Sequence, residues 1–125
     1  MIASTGKILL IEDNKETQLL IKVLLRDFYT LDISGDFAGS LKLLNEQKYS
    51  MVLLDINLMG NKDGIKILEF IRGNSMTSNL PVIIITAYEF SENEKKFLTD
   101  NSSAFITKPF EKESLLKTVK NNFNK

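Results

Sequence analysis

Four short apolar runs punctuate the chain, and each ends in a polar residue. Ile8-Leu9-Leu10-Ile11 runs into Glu12-Asp13, Met51-Val52-Leu53-Leu54 into Asp55, Val82-Ile83-Ile84-Ile85 into Thr86, and Ala104-Phe105-Ile106-Thr107 into Lys108-Pro109. Apolar runs without alternation are strands covered on both faces. The pattern therefore predicts strands at Lys7–Ile11, Ser50–Leu54, from Val82, and at Ala104–Thr107, with a shorter one at Tyr29–Ile33. Between them the period shifts to that of helices. Glu16–Arg26 carries Leu19, Leu20, Val23 and Leu24 as its apolar stripe, and Asp36 is placed to cap a helix bearing Leu41 and Leu44. Gly64–Ile71 presents Ile67, Leu68 and Ile71 on one face, and Ser91–Thr99 presents Phe97 and Leu98 beside Phe90. The last helix, Glu111–Phe123, presents Leu115, Leu116, Val119 and Phe123.

Strand and helix thus alternate through five repeats, which predicts an α/β fold: a parallel sheet between two helical layers, joined by right-handed crossovers. In such a sheet the polar ends of all four runs lie along one carboxyl edge, where open α/β sheets bind ligands.

At 125 residues the chain reads as one domain, 1–125 with a core of about 7–123, and any effector domain is expected outside it. Sixteen basic residues balance sixteen acidic ones, so no global field favours nucleic acid or an anionic membrane. The absence of cysteine and histidine removes thiolate, zinc–thiolate and histidine-dependent chemistry. The first six residues are too short and polar for a signal peptide, and no run is long enough to span a bilayer, so a cytoplasmic location is expected.

Each strand end admits a bland and a chemical reading. Glu12-Asp13 is either a solvated acidic turn, with Asp13 capping the next helix, or a pair of carboxylates whose repulsion a hard divalent cation relieves. Asp55 follows four apolar residues, where an unpaired carboxylate is costly. It either meets a cation at the edge or serves as a nucleophile able to form an aspartyl phosphate. Lys108 can neutralise a carboxylate or a phosphoryl oxygen, and the Lys108-Pro109 bond is a candidate for a cis peptide that aims the lysine inward. Thr86 can donate a hydroxyl to the same group, and the small Ala87 beside it leaves access open.

Taken together, the acidic pair, the strand ending in Asp55, the strand ending in Thr86-Ala87 and the Phe105-x-x-Lys108-Pro109-Phe110 motif resemble the receiver domain of two-component response regulators. The likeness extends from Lys7 to Phe123 and includes Asp63-Gly64 at the start of the third helix. It implies a flavodoxin-like five-stranded sheet in the order 2-1-3-4-5. It also implies Asp55 as phosphoacceptor and Mg²⁺, with Mn²⁺ as a substitute, held by Glu12, Asp13, Asp55 and the backbone carbonyl of Asn57. Thr86 and Lys108 would contact the phosphoryl group, with Thr86 and Phe105 as the switch. Asn57 and Tyr88 would border the path of attacking water, so bulky Tyr88 is expected to slow dephosphorylation.

The implied donor is a histidine kinase or a histidine phosphotransfer protein. The implied output is a partner on the face of the fourth helix, fifth strand and fifth helix, with the chain a monomer or a weak phosphorylation-linked dimer. The likeness further implies a bacterial or archaeal source and no turnover of a separate substrate. Two departures stand out: Met59 occupies a position where many receivers carry proline, in a loop one residue longer than usual, and Phe105 replaces the commoner tyrosine. The competing readings are a non-phosphorylated pseudo-receiver that binds other proteins and a haloacid-dehalogenase-like hydrolase. The first has no need of all five polar residues, and the second lacks its Asp-x-Asp motif and cap.

Overall fold

Parallel pairing joins all five strands into one sheet in the order β2-β1-β3-β4-β5. The computed structural model describes residues 6–58, 61, 63–87 and 90–123. The strands are β1 (Lys7–Ile11), β2 (Thr30–Ser34), β3 (Met51–Leu54), β4 (Val82–Thr86) and β5 (Ala104–Thr107). The helices that alternate with them are α1 (Lys15–Leu25), α2 (Phe37–Glu46), α3 (Asp63–Gly73), α4 (Glu92–Asn101) and α5 (Lys112–Phe123).

The period of two along a strand sorts the core into two halves. Leu9, Ile11, Val52, Leu54, Val82 and Ile84 face α2, α3 and α4, where they meet Leu44, Ile67, Leu68, Ile71 and Leu98. Ile8, Leu10, Met51, Leu53, Ile83 and Ile85 face α1 and α5, where they meet Ile21, Leu25, Leu115 and Val119. With both faces covered, β3 and β4 are buried at every position, whereas the edge strands β2 and β5 are only partly buried. This is why β3 and β4 read as unbroken apolar runs.

The apolar stripe expected on α1 is corrected by the structure. Ile21 and Leu25 are completely buried and Leu24 is partly buried, while Leu19 (63%), Leu20 (41%) and Val23 (44%) remain exposed. Six of the seven residues from Leu19 to Leu25 are apolar, so periodicity alone does not fix the phase. The buried face is set by packing, with Ile21 and Leu25 in one cluster with Ile8, Leu10, Met51 and Leu53 of the sheet; Asn14 caps the helix, accepting from the Thr17 amide at 2.9 Å. Asp36 caps α2 as expected, accepting from the Gly39 amide. Ser91 caps α4 through a reciprocal capping box with Glu94.

At the opposite end of the sheet Tyr49 donates to Asp32 at 2.6 Å, and Lys7 approaches the same carboxylate at 3.4 Å, tying the loop before β3 to β1 and β2. Arg72 fastens the end of α3 to three carbonyls: Ser78 at 3.1 Å, Leu80 at 2.7 Å and Asn101, the last residue of α4, at 2.8 Å.

One glycine is demanded by close approach. Gly64 sits against the main chain leaving β3, and a Cβ there would lie 2.4 Å from Ile56 Cα and 2.7 Å from the Asp55 carbonyl. Backbone cannot swing aside as a flexible side chain can. Gly64→Ala is therefore expected to cost about 1–3 kcal/mol in urea unfolding, the usual range for overpacking. It should also shift the amide resonances of Asp55 and Ile56. Wild-type stability would contradict this packing.

Candidate functional site

The carboxyl edge gathers residues far apart in sequence because the strands are in register there. Ile11 pairs with Leu54, so Asp55 follows β3 at the level where Glu12 follows β1, and the Asp55 amide donates to the Ile11 carbonyl at 2.9 Å. Glu12 in turn donates its amide to Ser34 at the end of β2. Thr86 pairs with Thr107, and the Lys108 amide donates to the Thr86 carbonyl at 3.0 Å. The Lys108–Pro109 peptide bond is cis.

From this position Lys108 reaches across the ends of β4 and β3. Its Nζ lies 2.6 Å from Glu12 Oε1 and 3.0 Å from Asp55 Oδ2. The remaining oxygens are also held: Asn14 donates its amide to Glu12 Oε2 at 3.0 Å, and Asn57 donates its amide to Asp55 Oδ1 at 3.1 Å. Glu12 is 1% exposed and Asp55 6%. Burial pushes the Glu12 carboxyl above the ordinary glutamate range; the Lys108 and Asn14 hydrogen bonds pull it back only in part, and the Asp55 charge adds to the rise. Burial alone would lower the Lys108 ammonium, but its bonds to Glu12 and Asp55 outweigh that and leave it above the ordinary lysine value.

Glu12, Asp13, Asn14, Asp55, Thr86 and Lys108 line a cleft of about 430 Å³, with Asn57 and Ala87 also at its wall. Glu12, Asp13 and Asp55 each bring a carboxylate oxygen within 4.8 Å of the others. Such an all-oxygen set suits a hard divalent cation, and Mg²⁺ in particular, which takes one or two carboxylates and keeps several waters.

The structure thus brings Glu12, Asp13, Asp55, Asn57, Thr86 and Lys108 to one cleft. Phe105 stands apart. It is 39% exposed on β5, beside Lys95 and Thr99 of α4 on one side and Ser114 and Thr118 of α5 on the other. Tyr88 and Met59 lie outside the described residues. Two contributors were not foreseen. Asn14, the α1 cap, also holds Glu12, and the Asn-x-x-Thr pattern ahead of the helix was a readable signal for the cap alone. Gln18 donates its side-chain amide to the Glu12 carbonyl, and nothing in the sequence marks it.

The family model for the response regulator receiver domain matches residues 8–120. The chain belongs to that family. Among curated relatives, this receiver domain is 35% identical over 115 residues to the transcriptional regulatory protein HprR of Escherichia coli, covering 91% of this chain and 50% of HprR. It is 33% identical over 110 residues to the transcriptional regulatory protein TctD of Salmonella typhimurium, covering 87% of this chain and 48% of TctD. The chain therefore spans about half the length of these relatives.

Solved structures share the fold. The receiver domain of the sensor histidine kinase PA1611 from Pseudomonas aeruginosa, which holds a magnesium ion in its active-site cleft, superposes with a TM-score of 0.85 at 24% identity, covering 98% of this chain and 100% of that one. A CheY-like receiver domain protein from Methanospirillum hungatei gives a TM-score of 0.86 at 24% identity, covering 97% and 95%. The strand order 2-1-3-4-5 of this chain is the flavodoxin-like order expected from its sequence. Among the described residues no helix is long and apolar enough to cross a membrane.

The ion pairs set a pH dependence. Because Glu12 is raised in the folded state, its contribution to stability is present below the ordinary glutamate value and is lost as pH rises through the folded one. Lys108 contributes below its ordinary 10.5 and ceases to do so as pH climbs through its raised folded value. Lys108→Met leaves two buried carboxylates without their cation. It is expected to cost about 1–3 kcal/mol at pH 7, and less near pH 4, where Glu12 is increasingly protonated. Urea unfolding across that range checks this; a deficit independent of pH would contradict it.

Proposed function

We propose that this receiver domain accepts a phosphoryl group on Asp55 from a phosphohistidine of a histidine kinase or histidine phosphotransfer protein. The donor histidine lies outside these 125 residues, which contain none. The observation that carries the reading is the Lys108 bridge to Glu12 and Asp55 at the mouth of a cleft walled by three carboxylates.

In-line phosphoryl transfer needs positioning and charge neutralisation more than covalent machinery. Asn57 and Lys108 fix the two oxygens of Asp55, so the carboxylate meets the donor in one orientation. A carboxylate oxygen of Asp55 forms the new bond to phosphorus as the phosphorus–nitrogen bond breaks, and the histidine nitrogen keeps the electron pair. Glu12, Asp13, Asp55 and the Asn57 carbonyl would hold Mg²⁺, which neutralises phosphoryl charge when bound. Lys108, freed from Asp55 Oδ2 by the new bond, moves to a phosphoryl oxygen while Glu12 keeps its ammonium oriented. Thr86 donates its hydroxyl to another phosphoryl oxygen.

Drawing Thr86 toward the phosphoryl group opens space behind it, and Phe105 turns inward from its exposed position. The added charge shifts the population toward a second arrangement of the α4-β5-α5 face, which an output partner reads. The chain acts on itself at Asp55 and turns over no separate substrate.

Intact-mass spectrometry after incubation with acetyl phosphate tests the reading. One phosphoryl addition is expected with Mg²⁺, none after chelation, and none for Asp55→Asn. Folded wild-type protein that gains nothing, from acetyl phosphate or from a phosphohistidine donor, would overturn the proposal in favour of a pseudo-receiver that only binds proteins.

A further inference from the structure

The short connection between β1 and α1 must present Asp13 to the cleft, and Asp13 has no strand register of its own to set its direction. Glu12 just before it is constrained on every hydrogen-bonding group. Its amide donates to Ser34, its Oε1 accepts from Lys108 and its Oε2 from Asn14. Its carbonyl oxygen accepts from Gln18 Nε2 at 2.5 Å, across six residues.

That carbonyl belongs to the peptide plane joining Glu12 to Asp13. Holding its oxygen fixes the rotation of the plane, and with it the direction in which the Asp13 backbone offers its side chain. Gly35 in the β2–α2 turn lies near the same group: a Cβ there would meet Asp13 Cα, the Glu12 carbonyl oxygen and Gln18 Nε2 at an ordinary 3.6 Å. The plane is therefore held by an α1 side chain, through its hydrogen bond to the Glu12 carbonyl.

We infer that Gln18 is a positioning residue for the divalent-cation site, acting through the Glu12–Asp13 peptide to aim the Asp13 carboxylate. The inference rests on the cation-binding part of the function proposed above. Gln18 does not touch the cation. Residues that orient metal ligands from behind typically alter affinity by 10–100-fold when removed.

The test compares wild type with Gln18→Met, which keeps the side-chain length and removes the donor. Isothermal titration with Mg²⁺ alone gives the affinity, and thermal unfolding without Mg²⁺ gives the stability of the fold. The expected result is Mg²⁺ binding about 10-fold or more weaker, with a midpoint close to wild type and a shifted Asp13 amide resonance. Affinity within about twofold of wild type overturns the inference and leaves the proposed function standing. A loss of stability with unchanged affinity of the folded protein gives Gln18 a structural role only, and also overturns it. Failure of the wild type itself to bind Mg²⁺ overturns the cation site and this inference together. If Gln18→Met does not fold, Gln18→Asn, whose amide is one methylene too short to reach, carries the same comparison.

Discussion

A single ammonium group joins three strands of the sheet. Lys108 follows β5, Asp55 follows β3 and Glu12 follows β1, and the bridge among them closes over separations of 96 and 53 residues. Burying such a group is costly, and an apolar cluster of the same size would often serve stability as well or better. What an apolar cluster cannot supply is a cation already standing where a carboxylate must be neutralised and, in the proposed reaction, where a phosphoryl oxygen arrives. The remaining geometry serves that placement: parallel register levels the strand ends, two buried faces keep the sheet rigid, and Gly64 lets α3 lie close against the backbone of Asp55.

Against this rigid frame α4 is lightly attached. It buries Leu98 completely and packs Phe97 partly against the core, and its capping box is local, made by Ser91 and Glu94. Its far end is tied through the Asn101 carbonyl to Arg72. A local change at Thr86 therefore meets a sheet that resists deformation and a helix with few apolar anchors. That contrast supports the reading of α4, β5 and α5 as the responsive face, with Phe105 exposed between the two helices.

Much of this was legible in the sequence. The unbroken runs of β1, β3 and β4 announced strands covered on both faces, and their polar ends marked the edge where Glu12, Asp13, Asp55, Thr86 and Lys108 meet. The α1 stripe was not legible, because a run from Leu19 to Leu25 that is apolar at six of seven positions has no unique phase until it packs against the sheet. Gln18 and Arg72 were missed for a related reason. Both act by donating to main-chain carbonyls, and such pairings depend on where the backbone passes rather than on residue spacing. Ser34 at the end of β2 and Ser40 in α2 show the same limit: their buried hydroxyls meet each other at 3.0 Å and the Asp36 carbonyl at 3.2 and 2.7 Å, which no hydropathy pattern foretells.

The most direct test of the central claim is a crystal structure of the protein with Mg²⁺ and beryllofluoride, a stable mimic of the phosphoryl group. Beryllofluoride is expected on Asp55 and Mg²⁺ among Glu12, Asp13 and Asp55. Lys108 Nζ is expected to have moved from Asp55 Oδ2 to a fluoride while still paired with Glu12. Lys108 unmoved between Glu12 and Asp55, with no group bound at the cleft under saturating conditions, would contradict that claim.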